Sequence, residues 1–308
     1  MDARLEQYIN RLDEKLKVKF KKNRLYFYVS EDLCVYYGQR GYTLNFLSNI
    51  AYTIWELKQK VHIDLSKCSK ISASALVMLF AEVSRARMGK EDDDVITLTM
   101  SDTFKEPKWK EAIELGHRQY SRLFDEDHTF QTVSDPNKAL ASILKLMHNC
   151  GVKLARPESK IFTKGINEAM LNVINHAYDD QEDPLGGIGR RWWQACWLQP
   201  TGGGKYSLVY IIYDLGCGML NSLPKASEQE TIAEHITRAM AHGTTRTGIP
   251  GRGKGTKNME DAAEIRAKST LFVGTNSVSY CKVEGKDAIV EPCLLPFNGT
   301  LVEWQICI

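Results

Sequence analysis

Long apolar runs are missing from this sequence. None of its 308 residues belongs to a stretch apolar enough to cross a bilayer. The opening residues, MDARLEQYINRLDEKLKVKFKKN, have no apolar core of the kind a secretory leader needs. Excess charge is missing too: 40 Lys and Arg against 38 Asp and Glu leave a formal net charge of +2. No chain-wide basic field therefore advertises nucleic acid. The eight cysteines, Cys34, Cys68, Cys150, Cys196, Cys217, Cys281, Cys293 and Cys307, are scattered, with no C-x-x-C and no Cys/His pair at zinc-ligand spacing. Unpaired thiols in a reducing cytoplasm are the expectation. Repeats at solenoid periods and low-complexity tracts are also absent.

What is present falls into two patterns. The opening 23 residues read as a charged amphipathic helix that packs one stripe on its own domain, or else docks on a partner or an acidic surface. From Arg24 to Phe124 short apolar runs (LCVYYG, VHIDLS, DVITLTMS) alternate with helical stretches (TLNFLSNIAYTIWELKQK, ASALVMLFAEVSRARM, EPKWKEAIELGHRQYSRLF), which predicts a small α/β layer. The polar stretch DEDHTFQTVSDPNK then reads as a linker, and the boundary is placed near residue 130. Beyond it come two helices, the strands RRWWQACWLQ and YSLVYIIYDLG joined by PTGGGK, a glycine-rich stretch, a helix, and two closing strands. That order predicts an α/β domain over 1–130 and an α+β domain with a largely antiparallel sheet over 131–308. In WW, Trp192 and Trp193 are expected on opposite faces of their strand, one in the core.

The stretch TGIPGRGKGTKN invites comparison with a phosphate-binding P-loop, G-x-x-x-x-G-K-[ST]. Gly248 to Lys254 fit, but Gly255 stands where the magnesium-binding hydroxyl belongs, and Thr256 comes one residue late. The context fails as well, since a helix and a polar turn precede it rather than a buried strand. Ser227 and Glu230 read as the capping box of that helix, with Gly243 as its stop.

In IFTKGINEAMLNVINHAYDD, a period of 100° per residue gathers Ile166, Met170, Val173 and Ala177 on one face and Glu168, Asn172, Asn175 and Asp179 on the other. A surface helix accounts for such a polar face. The chemical reading is that Asn172 offers a hard oxygen to Mg²⁺, while Glu168, one turn earlier, polarises a water or hydroxyl beside it. In VYIIYDLGCGM an apolar strand delivers Asp214 at its end, followed by Gly216 and Gly218. An Asp-Gly turn closing a hairpin is the plain account. A buried acceptor for an exocyclic amine is the functional one.

Together, NEAMLNVINHAY, DLGCG and TTRTGIPGRGKGTKN resemble the N box and the two glycine boxes of the GHKL ATPases, over residues 135–308. Within that superfamily the sequence looks most like the anti-sigma-factor serine kinases. The resemblance implies a Bergerat sandwich that binds Mg-ATP. It makes Glu168 the general base, Asn172 the magnesium ligand, and Asp214 the adenine reader. Gly216 and Gly218 would make room for the base, and Gly251, Gly253 and Gly255 would present amides to phosphate, with Lys254 as an added charge. Thr300, in FNGTLVEW, falls where the family has a threonine beneath the adenine. Lys254 and Thr256 depart from the family, which usually has apolar residues there. No H-E/D-x-x-x-P phosphoacceptor helix precedes the N box, and His148 and His176 read as structural or phosphate-orienting histidines.

VHIDLSKCSKISASALVMLF is similar to the centre of a STAS domain, the fold of anti-sigma-factor antagonists. Their phosphoacceptor turn, D-S-S-G, is replaced here by Ser72, Ala73, Ser74 and Ala75, which puts Ala73 on the acceptor position and leaves Ser72 and Ser74 beside it. The resulting expectation is a cytoplasmic Mg-ATP-binding regulator with a protein partner, open to dimerisation. It hydrolyses ATP or transfers phosphoryl to a protein serine. The other reading is a switch or scaffold in which ATP binding alone orders the glycine-rich lid and a partner surface.

Overall fold

The computed structural model describes residues 3–12, 16–100, 106–178, 185–241 and 255–308, and the chain forms two compact units, Met1–Tyr120 and Ser121–Ile308. No helix among the described residues is long and apolar enough to cross a membrane.

The first unit is an open four-stranded sheet with helices on one face. Helix α1 (Ala3–Arg11) stops well before residue 23, and the chain then forms the hairpin β1 (Lys17–Lys21) and β2 (Arg24–Tyr28). The sequence reading extended the helix too far, because K-V-K-F-K alternates with a period of two and Lys22 and Asn23 take positive φ (52° and 56°) in a tight turn. After it come α2 (Arg40–Trp55), β3 (Lys60–Asp64), α3 (Ala73–Lys90), β4 (Ile96–Thr99) and α4 (Pro107–Ile113), with sheet order β1-β2-β3-β4. β1 pairs antiparallel with β2, and β2, β3 and β4 run parallel, as right-handed helical crossovers allow. LCVYYG is not a strand: only Leu33 bridges to Ile71. The core is the inward row Leu25, Phe27, Val61 and Ile63 against Phe46, Ile50, Val77 and Phe80, all at most 1% exposed. α3 begins where the Ser72 side chain accepts the Ala75 N–H, and Ser74 is completely buried. Of the two serines beside Ala73, one is a cap and the other has no access to solvent.

Helix α5 (Tyr120–Asp125) spans the division between the units. The second unit is a five-stranded antiparallel sheet, order β5-β6-β7-β9-β8, with four helices of nine or more residues among the described residues. β5 (Phe130–Val133) lies inside the stretch read as a linker and pairs with β6 (Trp192–Gly202). Its four residues are buried although two of them, Gln131 and Thr132, are polar. The Gln131 amide satisfies this by donating to Ser142 Oγ (2.8 Å) and accepting from Gln194 (2.9 Å). Trp192 and Trp193 are both fully buried, so neither face of β6 is open at that pair, contrary to the sequence expectation.

Helices α6 (Pro136–Asn149) and α7 (Arg156–Asn172) precede β6, and β7 (Lys205–Tyr213) follows it. The short α8 (Met219–Ser222) and α9 (Ile232–Met240) lead to α10 (Gly255–Ala263) and the long pair β8 (Thr270–Val283) and β9 (Ile289–Cys307). An aromatic block fixes α7 on the sheet: Tyr210 of β7 stacks on Trp304 of β9 (5.7 Å, 18°), and Phe162 of α7 meets both edge-on at 6.4 Å. Trp304 also donates its Nε1–H to Met259 O, which anchors α10. α7 and α10 approach closely because residue 165 is glycine. A Cβ there would lie 2.7 Å from the Asn258 carbonyl oxygen and 2.8 Å from Ala262 Cβ.

Candidate functional site

β7 is apolar and fully buried over its last seven residues, and it carries the chain directly into Asp214, which is 4% exposed. Burial pushes this carboxyl up to about 7, even though Oδ1 accepts two backbone N–H groups, from Gly216 (2.8 Å) and Thr300 (3.3 Å), that favour the anion. Desolvation outweighs the two bonds. Asp214 Oδ2 takes no hydrogen bond from the described residues, so one oxygen is fixed and the other is available to a donor. Thr300 O in turn accepts the Asp214 N–H (3.0 Å), and Thr300 Oγ1 lies 3.2 Å from Thr275 Oγ1.

The turn after Asp214 is tied to the helix carrying Glu168 and Asn172. Cys217 N–H donates to Ala177 O (2.7 Å), and a Cβ on Gly216 would stand 2.2 Å from that same oxygen. Leu215 N–H donates to the Tyr178 hydroxyl (3.2 Å). Gly218 has φ +84°, a conformation only glycine adopts at little cost. From there Met219 and Leu220 donate their N–H groups to Thr275 Oγ1 (2.8 Å) and Asn276 Oδ1 (3.0 Å), and Asn276 Nδ2 donates to Cys217 O (3.2 Å).

α7 presents Glu168 and Asn172 half-buried, with Ile166, Met170, Val173 and Ala177 buried on the core side as their spacing requires. Immediately after Asn172 the helix widens into a π-helical turn, Val173–Ala177. Within that turn Val173 and Ala177 remain buried and Asn175 is exposed, as the 100° reading expects. Asp179 lies outside the described residues. Burial raises the Glu168 carboxyl, opposed by a hydrogen bond from the Asn258 side chain and by the nearby Lys164 charge. Asn172 donates Nδ2–H weakly to Met259 Sδ (3.9 Å), which orients its carbonyl oxygen away from that contact. Chemically, the set comprises a buried carboxyl acceptor, a half-buried carboxyl that holds protons more tightly than usual, and a neutral amide oxygen of the hard type that suits Mg²⁺.

Of the glycine stretch, Gly251, Gly253 and Lys254 lie outside the described residues, and Gly255 is the first residue of α10. Thr256 donates its hydroxyl to Ala239 O (2.8 Å) at the end of α9. The capping box of α9 is Thr231 with Glu234, not Ser227 with Glu230. Both pairs have the S/T-x-x-E spacing, but the Glu230 carboxylate is taken by Arg238 (2.6 Å) and the Ala226 N–H, so the helix starts four residues later. Gly243 is outside the described residues.

Sequence reading passed over Tyr178, Asn258, Thr275 and Asn276, which hold the site's backbone or its carboxyl. The visible signal was the polar pair Thr-Asn inside the apolar run LFVGTNSV. It coincides with an irregular β8–β9 register and a positive φ (49°) at Asn276. No protein-family model matches the chain, and no curated protein matches it.

Proposed function

We propose that the second unit binds ATP with Mg²⁺ in the manner of the GHKL ATPases and acts as an ATP-dependent regulator, hydrolysing ATP or passing its phosphoryl group to a protein serine. The observation that carries this reading is Asp214: a buried carboxyl at a strand end, one oxygen held by two backbone N–H groups and the other taking no hydrogen bond from the described residues. Adenine supplies an exocyclic amine of the right polarity for Oδ2, and the bond to a carboxylate is charge-assisted. The glycines after it keep side chains off the turn, and Thr275 and Asn276 hold that turn in place.

In this reading Asn172 contributes its amide oxygen to magnesium, whose chemistry when bound is to neutralise phosphate charge. Glu168 accepts the proton of the attacking water or hydroxyl, helped by burial that strengthens it as a base. Gly255 opens α10, whose first-turn N–H groups favour phosphate. Gly251, Gly253 and Lys254 would belong to the covering lid. The first unit, a sheet with helices on one face, would serve as the STAS-like module for a regulatory protein partner.

Calorimetry of the intact chain with ATP, GTP and ADP, each with magnesium and with a chelator, tests the reading. Selective, magnesium-dependent ATP binding that weakens in Asp214→Asn supports it. Equal affinity for ATP and GTP, or no binding, overturns it. Incubation with γ-labelled ATP then separates released phosphate from labelled protein.

A further inference from the structure

The outward face of the first unit's sheet collects groups that are far apart in the sequence. Strand register places Lys19 beside Tyr26, Tyr26 beside His62, and His62 beside Thr97. One step along the strands, Lys17 stands beside Tyr28. Helices α2 and α3 occupy the opposite side, against Leu25, Phe27, Val61 and Ile63. The rings form a contiguous row: Tyr26 lies 4.6 Å from His62 and 6.3 Å from Tyr28, with the two tyrosine planes only 24° apart. His62 is held upright between the Thr97 and Thr99 hydroxyls (2.8 and 3.1 Å).

Charge on this face is segregated. On the β4 side Arg24 and Lys60 are matched by Asp92 and Asp94. On the edge strand β1, Lys17, Lys19 and Lys21 are exposed and form no close ion pair with any described residue; Lys21 is hydrogen-bonded to Tyr28 and feels the charge of Asp64, which the Ser66 N–H engages. Alternate residues of a strand repeat at about 6.6–6.8 Å, so the three lysines leave the backbone at intervals on the scale of successive phosphates in an extended polynucleotide, although the Lys21 ammonium leans over the Tyr26 and Tyr28 rings (4.1 and 5.4 Å). Lys21 rests over the Tyr26 ring at 4.1 Å, and it is long enough to move from the ring to a phosphate.

We propose that this face binds single-stranded nucleic acid, with Lys17, Lys19 and Lys21 along the backbone and Tyr26 and Tyr28 under two bases. Aromatic rings beside a cationic track are what sequence-tolerant single-strand binding requires, because every base has a π-face. An acidic peptide would need the lysines but has no use for the ring row. A duplex keeps its base faces inside its own stack and could not offer them to the rings. A membrane surface would call for apolar side chains, which this face lacks.

The test uses the intact chain and a fluorescein-labelled 20-residue oligothymidylate, read by anisotropy at 50 and 200 mM NaCl. Binding at 50 mM should weaken about 20-fold at 200 mM, the response of roughly three phosphate contacts on a single strand. The double variant Lys17→Gln/Lys19→Gln changes exposed residues and should flatten that salt response by about two contacts. Tyr28→Ala should weaken binding roughly 5- to 150-fold while leaving the salt response unchanged. Circular dichroism would establish that each variant is folded. Absence of binding at 50 mM overturns the proposal, as does binding that neither variant alters. Displacement by polyglutamate, or by a duplex of equal length, at the same concentration as unlabelled oligothymidylate would also overturn it, in favour of an acidic protein or a purely electrostatic site.

Discussion

Asp214 and Thr300 hold each other by two hydrogen bonds across adjacent strands: the Thr300 N–H donates to Asp214 Oδ1 at 3.3 Å, and the Asp214 N–H donates to Thr300 O at 3.0 Å. The first bond favours an ionised carboxyl, yet burial keeps that carboxyl at about 7. The site therefore holds a proton that a ligand's amine can render unnecessary.

That proton makes stability depend on pH in a direction opposite to an ion-paired aspartate. Between the unfolded value near 4 and the folded value of about 7, the native state binds the extra proton, so the contribution of Asp214 to stability is fully present below pH 4 and is lost as pH rises to 7. The full loss is on the order of 4 kcal/mol. Asp214→Asn should remove this contribution, and urea unfolding at pH 5 and pH 8 should show a smaller pH difference in the variant. An identical difference in both proteins would mean the carboxyl titrates normally. The same variant should weaken ATP binding by about 1.5–3 kcal/mol.

Asn172→Ala should leave the core intact, since Asn172 is half-buried and its side-chain hydrogen bond among the described residues is the weak one to Met259 Sδ. Nucleotide binding should lose its magnesium dependence, because Mg²⁺ takes few protein ligands. Titrations with magnesium and with chelator should then converge. If magnesium sharpens binding as much as before, another residue is the ligand.

Glu168→Ala should retain ATP and slow turnover by about 10²–10⁴-fold. Asn258→Ala gives a finer reading, because the Asn258 hydrogen bond opposes the burial that raises Glu168. Losing that bond should raise the carboxyl further, and the acidic limb of the pH–rate profile should move to higher pH. A change in rate with an unmoved limb would make Asn258 a packing residue. If wild type and Glu168→Ala share the same residual turnover while ATP still protects the lid region in hydrogen exchange, the catalytic reading falls and the switch remains.

Gly165→Ala sets two effects against each other. Alanine favours the helix by up to about 1 kcal/mol, but its Cβ would meet the Asn258 backbone at 2.7 Å, which cannot swing aside. Overpacking typically costs about 1–3 kcal/mol, so net destabilisation by about 1–2 kcal/mol is expected from chemical denaturation. A variant as stable as the parent would show that α7 and α10 can separate freely.

Much of the second unit was legible in the chain because its signals are local. The apolar run ending in Asp214 is a strand followed by glycines, and the 3.6-residue spacing of Ile166, Met170 and Val173 is a buried helix face. Other elements were misread where local signals tie or vanish. Two S/T-x-x-E boxes compete before α9, and only the pairing of Glu230 with Arg238 decides between them. β5 hides its polar residues in a stretch rich in Asp and Ser, since a buried glutamine is tolerable only once Ser142 and Gln194 are beside it.

The sequence by itself determined which side-chain types stand at the strand end and on the helix face, the carboxyls of Asp214 and Glu168 and the amide of Asn172, because side-chain type and helical or strand period are properties of neighbours in the chain. Tertiary structure alone decided their states. Whether Asp214 is neutral depends on how much water β7 and β9 exclude, and how far the Glu168 carboxyl is raised depends on its burial and on the Asn258 side chain that opposes it. The basic sheet face is the clearest case. In the sum over the chain its lysines cancel against distant acids to +2, whereas strand register sets Lys17 and Lys19 beside Tyr28 and Tyr26. Electrostatic attraction falls with distance and is screened within about 10 Å, so neighbours in space, not totals in composition, fix what a surface can bind.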